Sequence, residues 1–267
     1  MTARKSENRG QSWVKGEGAC TITCSAKDGS GVKAECQVKV FEVDYCPDGN
    51  HPHMIDLGLP SGTKWACCNV GAGRPEEFGD YFAWAETEPK DDYDYNTYRY
   101  FESTSYKPTK YTGNETGYNG FKDGLSVLLP EDDAATVNWG SNWQTPSADQ
   151  LEELVNDNYT TCEYMWEGEK YTSYLYGVKI TSKINGNSIF MPAAGVMSGT
   201  RLCLPYGLPA IDSYDYSLVY GCYMSNELYH NDNRRVELLH FREIWYGVVG
   251  AYLDRTDGFT VRAVRKK

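Results

Sequence analysis

The chain has 267 residues, 40% hydrophobic and 24% charged, a composition that excludes a disordered or collagen-like protein. Its formal net charge of -11 repels phosphate backbones and argues against nucleic-acid binding. No apolar run approaches the roughly 18 residues needed to span a bilayer, so direct membrane insertion of this chain is not expected. In chain order, the polar start Met1-Thr-Ala-Arg-Lys-Ser6 lacks the apolar stretch of a signal peptide. That leaves a cytoplasmic protein or a fragment of a longer one. Residues 19–43 read as a β-hairpin: polar and apolar residues alternate in both arms, and the turn is Asp28-Gly-Ser-Gly31. A lone hairpin is marginal in water.

The string Gly16-Glu-Gly-Ala-Cys-Thr-Ile-Thr23, the Asp-Gly-Ser-Gly turn and Cys36-Gln-Val-Lys-Val40 resemble the final strands of a bacterial Ig-like domain, group 2. Such domains are spacers on bacterial surface proteins. The resemblance covers less than half of the roughly 100 residues of an Ig-type sandwich. It implies a truncated spacer over residues 1–45; the other reading is an extra hairpin of the main domain. Val43-Asp-Tyr-Cys-Pro-Asp-Gly-Asn50 is turn-rich, and residues 46–52 are read as a linker.

Residues 53–267 form the main domain. Leu129–Trp139 places acids in a first helical turn, where the helix dipole favours them. Over Pro146–Val155, Ser147 with Gln150 fits a capping box, and Leu151, Leu154 and Val155 make an apolar stripe. Short strands are predicted at 177–182, 188–191, 236–241 and 258–264. The fold class is therefore α+β: small antiparallel sheets, one or two helices and long loops.

An ordered set of strings supports a second resemblance. It comprises Ile55-Asp-Leu-Gly-Leu-Pro-Ser-Gly-Thr-Lys-Trp-Ala66, Asn69-Val-Gly-Ala72 and Phe78-Gly-Asp-Tyr-Phe-Ala-Trp-Ala-Glu-Thr87, then Asn138-Trp-Gly-Ser-Asn-Trp-Gln-Thr-Pro-Ser147. Gly186-Asn-Ser-Ile-Phe-Met-Pro-Ala-Ala-Gly195 and Gly258-Phe-Thr-Val-Arg-Ala-Val264 complete it. The set resembles the fibrobacter-type major paralogous domain of gut-bacterial surface proteins. That resemblance implies a C-type lectin-like fold of the formylglycine-generating-enzyme-like branch. Variable proteins of diversity-generating retroelements belong to the same branch, and in them the stretch before the terminal motif, here Tyr220 to Asp257, is diversified. Relatives show Tyr-Trp-Ser-Ser near its start, whereas this chain has Cys222-Tyr-Met-Ser-Asn226.

Candidate chemistry is sparse. None of the nine cysteines forms a zinc-type C-x-x-C pair. Cys24 and Cys36 are expected to face each other across the hairpin. By the resemblance, Cys203 and Cys222 would serve an oxidase-like enzyme of the formylglycine-generating type using copper, which is the alternative reading. His51 and His53 flank Pro52 in the linker, and His240 alternates with apolar neighbours on a strand. Asp91, Asp92 and Asp94, and Glu131 with Asp132 and Asp133, are acidic clusters read as solvated loop and dipole-matched turn. The calcium-lectin strings are absent; Glu88-Pro-Lys90 puts a cation where an oxygen ligand belongs. No catalytic residue, metal or cofactor is expected.

The richest signal is aromatic. The chain has 22 Tyr against 8 Phe, and residues 206–257 hold eight of those tyrosines with Trp245 and Arg234, Arg235, Arg242 and Arg255. Rings with polar tips and planar guanidinium groups, with few lysines, are the composition of interfaces. The expected ligand-binding face is Tyr216, Tyr223, Tyr229, His230, Arg242, Trp245, Tyr246 and Tyr252. The function expected is a non-catalytic module on a bacterial cell surface, binding a protein or glycan of another cell or host surface. A purely structural surface domain is the third reading.

Overall fold

The computed structural model describes residues 18–26, 28–40, 54–103, 105–167, 174–203, 221–230, 232–242, 245–246 and 251–265. The chain divides into two compact units, 1–44 and 45–267.

In the first unit, strands Gly18–Ser25 and Lys33–Val40 pair antiparallel, as the alternating pattern predicts. The Asp28 carboxylate accepts the Ser30 N–H at 2.9 Å, and Gly29 and Gly31 take the positive φ that the turn requires. The register departs from expectation for the cysteines. Cys24 lies opposite Ala34 and Cys36 opposite Ile22, so the two are two positions out of step.

The second unit is sheet-rich α+β. Among its described residues are two short α-helices: α1, Ala134–Trp139, and α2, Ala148–Leu154. The capping box of α2 is present: Ser147 Oγ accepts the Gln150 N–H at 3.2 Å, and Gln150 Oε1 accepts the Ser147 N–H at 2.9 Å. Leu151 and Leu154 are buried on its inner face. The 129–139 segment does not form one helix. A 3-10 turn, Pro130–Asp132, stops at Asp133, whose extended backbone (φ -92°, ψ 111°) makes it the N-cap of α1. Its carboxylate accepts Ala135 N and also reaches Thr145 N and Oγ1, tying α1 to the strand Trp143–Gln144. The acids sit at helix starts, as read from the sequence, and Asp132 and Asp133 are in addition buried and hydrogen-bonded.

Antiparallel ladders fill the rest. Strands Ser188–Pro192, Tyr174–Ser182 and Thr160–Glu167 form one sheet in that order. A second runs Gly221–Leu228, Arg235–Arg242 and Trp245–Tyr246, with Ala251–Asp254 also paired to Arg235–Arg242. The predicted strand 258–264 becomes two short pairings. Gly258–Phe259 sits between Val196–Ser198 and Phe82–Ala83, and Val264–Arg265 sits between Lys64–Ala66 and Trp143–Gln144. The segment thus threads two sheets. Phe259 and Val261 enter one hydrophobic core with Phe82 and Trp84; Val264 enters the other with Trp65, Leu151 and Leu154. Fully burying each such side chain contributes about 1.5–3 kcal/mol. Gly258 is required by proximity: a Cβ there would lie 2.6 Å from the Tyr93 ring and 2.9 Å from Met197 Cβ.

Two arginines lie inside. Arg262 is fully buried, and its acceptors are Asn69 Oδ1 at 2.8 Å and the carbonyls of Ala66, Cys67 and Phe190 at 3.2, 2.9 and 2.8 Å. Arg255 is also fully buried. It donates to Tyr98 Oη and to the carbonyls of Tyr111, Asn233 and Lys110, and its guanidinium lies 4.9–5.9 Å from the rings of Trp84, Tyr98, Phe101 and Tyr111. Arg255 therefore belongs to the core, not to the exposed arginines read from the 206–257 composition. Among the described residues no helix is long and apolar enough to cross a membrane.

Candidate functional site

The sheet around Arg235–Arg242 gathers several expected site residues. Along Gly221–Leu228, residues 221–225 are buried, because Tyr223 packs on Phe241 with ring centroids 6.0 Å apart and α2 contributes Leu151 and Leu154 to the same core. Tyr223 is consequently a core residue. It is fully buried, its hydroxyl donates to Pro192 O at 2.7 Å, and burial pushes its pKa up to about 12 against the pull of Arg262. Its expected role on an exposed face is corrected: the run Gly221–Met224 is sandwiched on both sides.

The ladder then breaks. Met224 pairs with Leu238 and Leu228 with Val236, so Ser225, Asn226 and Glu227 oppose Glu237 alone. The bulge is stitched down locally. Ser225 Oγ accepts Glu227 N at 3.1 Å, Asn226 N donates to Pro146 O, and Leu128 N donates to Asn226 O. The strand resumes at Leu228, whose N–H donates to Ser126 O, and turns back through Tyr229–Arg235.

Between this bulge, the turn and the loop after Thr112 lies a cleft of about 180 Å³. It is lined by Gly113, Asn114, Glu115, Ser126, Glu227, Leu228, Tyr229, His230, Asn233 and Glu237. Of the expected face, Tyr229 and His230 are here, their rings 4.7 Å apart and tilted by 53°. His230 is exposed, with Nδ1 3.4 Å from Glu237 Oε1, and Tyr229 is half-buried. Asn233 forms part of the wall and is buried. Its N–H donates to Glu115 Oε2 at 3.0 Å, its Nδ2 donates to Thr112 O, and its carbonyl accepts from Arg255. The loop contributing Gly113 to Glu115 is fastened at its foot by Asp123, whose carboxylate accepts the N–H groups of Tyr111, Thr112 and Leu125 and the Thr112 hydroxyl. These bonds outweigh burial and hold Asp123 below its ordinary pKa.

The charges are lopsided. Burial, then the nearby Asp149 and Glu237, raise the Glu227 pKa; one N–H bond from Ala148 opposes them. The two arginines of the turn are committed elsewhere. Arg234 donates to both oxygens of Asp232 at 3.0 Å, and Arg235 Nε lies 3.6 Å from Asp232 and 3.8 Å from Asp254. No group of three His, Cys, Asp or Glu among the described residues is arranged to hold a metal.

The remaining expected residues are only partly placed. Arg242 ends the central strand of the cleft's sheet, and Trp245, Tyr246 and Tyr252 pair with that strand at Arg242, Phe241 and Glu237. Their side chains, and Tyr216 entirely, lie outside the described residues, as do His51, His53 and the 46–52 linker. Sequence reasoning did not select Glu115, Glu227, Asn233 or Glu237. The available signal was the switch from an apolar run to Ser225-Asn-Glu227 inside one strand.

Cys203 and Cys222 are free thiols against one core, and burial followed by Asp257 raises both pKa values, so neither is activated as a thiolate. Cys67, by contrast, is disulfide-bonded. Compared with known proteins, the chain matches no family model, no curated protein and no solved structure.

Proposed function

We propose that the chain is the non-catalytic ligand-binding module of a bacterial cell-surface protein, built on a C-type lectin-like fold and preceded by part of an Ig-like spacer. The observation that carries this reading is the cleft itself. An aromatic pair, Tyr229 and His230, and polar side chains converge on a concavity whose walls are held by Asp123, Asn233 and the 225–227 bulge. A rigid wall lowers the entropy lost on binding. Trp245, Tyr246 and Tyr252 extend the same sheet and supply residue types that dominate binding energy at interfaces. The Cys67 disulfide supports an oxidising, extracellular setting.

The packing limits which part of 220–257 can vary if the region is diversified. Cys222, Tyr223, Met224, Leu238, Leu239 and Arg255 are buried, so variation is compatible with folding at the cleft and turn positions, not along the whole stretch. The test is a screen of glycan and host-protein arrays. The double substitution Trp245→Ala and Tyr246→Ala, and separately Tyr229→Ala, should abolish binding to the cognate ligand with the melting temperature within a few degrees of the parent. Parallel loss of fold and binding, or silence on both arrays, would defeat the proposal.

A further inference from the structure

Resting on that reading of the surface, we infer that the cleft receives a cationic side chain, arginine or lysine, of a protein ligand. Three carboxylates line one concavity, Glu227 and Glu237 facing each other across the bulged strand pair and Glu115 from the loop after Thr112. Among the described residues none of them pairs with a lysine or arginine: Glu115 meets a backbone N–H, Glu227 a backbone N–H, and Glu237 His230. The guanidinium groups within reach of the turn are taken by Asp232 and Asp254. The cleft is thus a negative concavity in a chain already carrying a net charge of -11, and complementarity selects a positive group.

Size agrees. Sites for drug-sized ligands run to about 300–1,000 Å³, and a cleft of about 180 Å³ is of the size of one side-chain head group. The Tyr229 and His230 rings, tilted by 53°, line the same cleft and add aromatic character beside the carboxylates.

The test uses the intact chain and three soluble probes: Nα-acetyl-arginine amide, Nα-acetyl-lysine amide and the uncharged Nα-acetyl-citrulline amide, with methyl glycosides as a fourth arm. Titration is followed by NMR at the His230 and Tyr229 resonances. The cationic amides should shift these signals saturably, at least ten-fold more tightly than citrulline amide, and added salt should weaken them. The double substitution Glu227→Gln and Glu237→Gln should remove the response while the melting temperature stays level or rises. Equal response to citrulline amide, a response only to glycosides, no response to any probe, or an unchanged response in the double variant overturns the inference. Array binding of a protein or glycan that is insensitive to the double variant would leave the surface reading standing and remove the cation alone.

Discussion

Arg262→Met isolates what the buried guanidinium contributes. The side chain makes four hydrogen bonds, three of them to main-chain carbonyls in two separate segments, 66–67 and 190. At roughly 1.5–3 kcal/mol per bond from a charged donor, the gross contribution is about 6–12 kcal/mol. Opposing it is the desolvation of a charge with no carboxylate bonded to it, several kcal/mol, and burial indeed lowers the Arg262 pKa. Met fills much of the volume and escapes that penalty but leaves the acceptors unpaired. Subtracting that penalty from the gross contribution leaves an expected net loss of about 3–5 kcal/mol. For a domain of this size that lowers Tm by about 6–20 °C. Urea unfolding of the variant beside the exposed-site control Arg201→Ala measures it. An Arg262→Met protein within about 1 kcal/mol of the parent would refute the idea that this arginine joins the segments.

Two further outcomes are expected. Tyr223→Ala should cost about 3–5 kcal/mol as a cavity in the core, whereas Tyr223→Phe should cost about 1 kcal/mol for the bond to Pro192; thermal melts of the pair decide whether this tyrosine is structural. Asp132 is raised by burial but held below its ordinary pKa on balance by bonds from Lys110, Tyr100 and Tyr111. Its contribution is therefore complete above about pH 3.9, the unfolded value, and is lost as pH falls through the folded one. Asp132→Asn, which turns an acceptor toward donors, should be less stable at neutral pH and show a flatter loss of stability in acid, read by urea unfolding from pH 2 to 7.

Local signals were legible where they rest on neighbours in sequence. The Ser147–Gln150 box and the Asp28 turn can be read because each is complete within a few residues. The α+β class followed from short β-rich runs beside two helical stretches. What escaped depends on long-range packing. Tyr223 and Arg255 have the composition of a paratope, yet each is swallowed by partners far along the chain, Pro192 for one and Trp84 with Tyr98 for the other. The cleft carboxylates escaped because a bulge spanning 225–227 has no spacing signature: it arises from pairing with 235–242 and stitching to 126–128. Arg262 alone carried a clue, the one charge inside the heptapeptide Gly258-Phe-Thr-Val-Arg-Ala-Val264.

The threading of residues 258–265 between strands made much earlier has a consequence for biogenesis. Phe82 acquires its ladder neighbour Phe259, and Trp65, already paired with Ile55, its second neighbour Val264, only when this late segment emerges, so each of the two middle ladders lacks one side while the nascent chain lengthens.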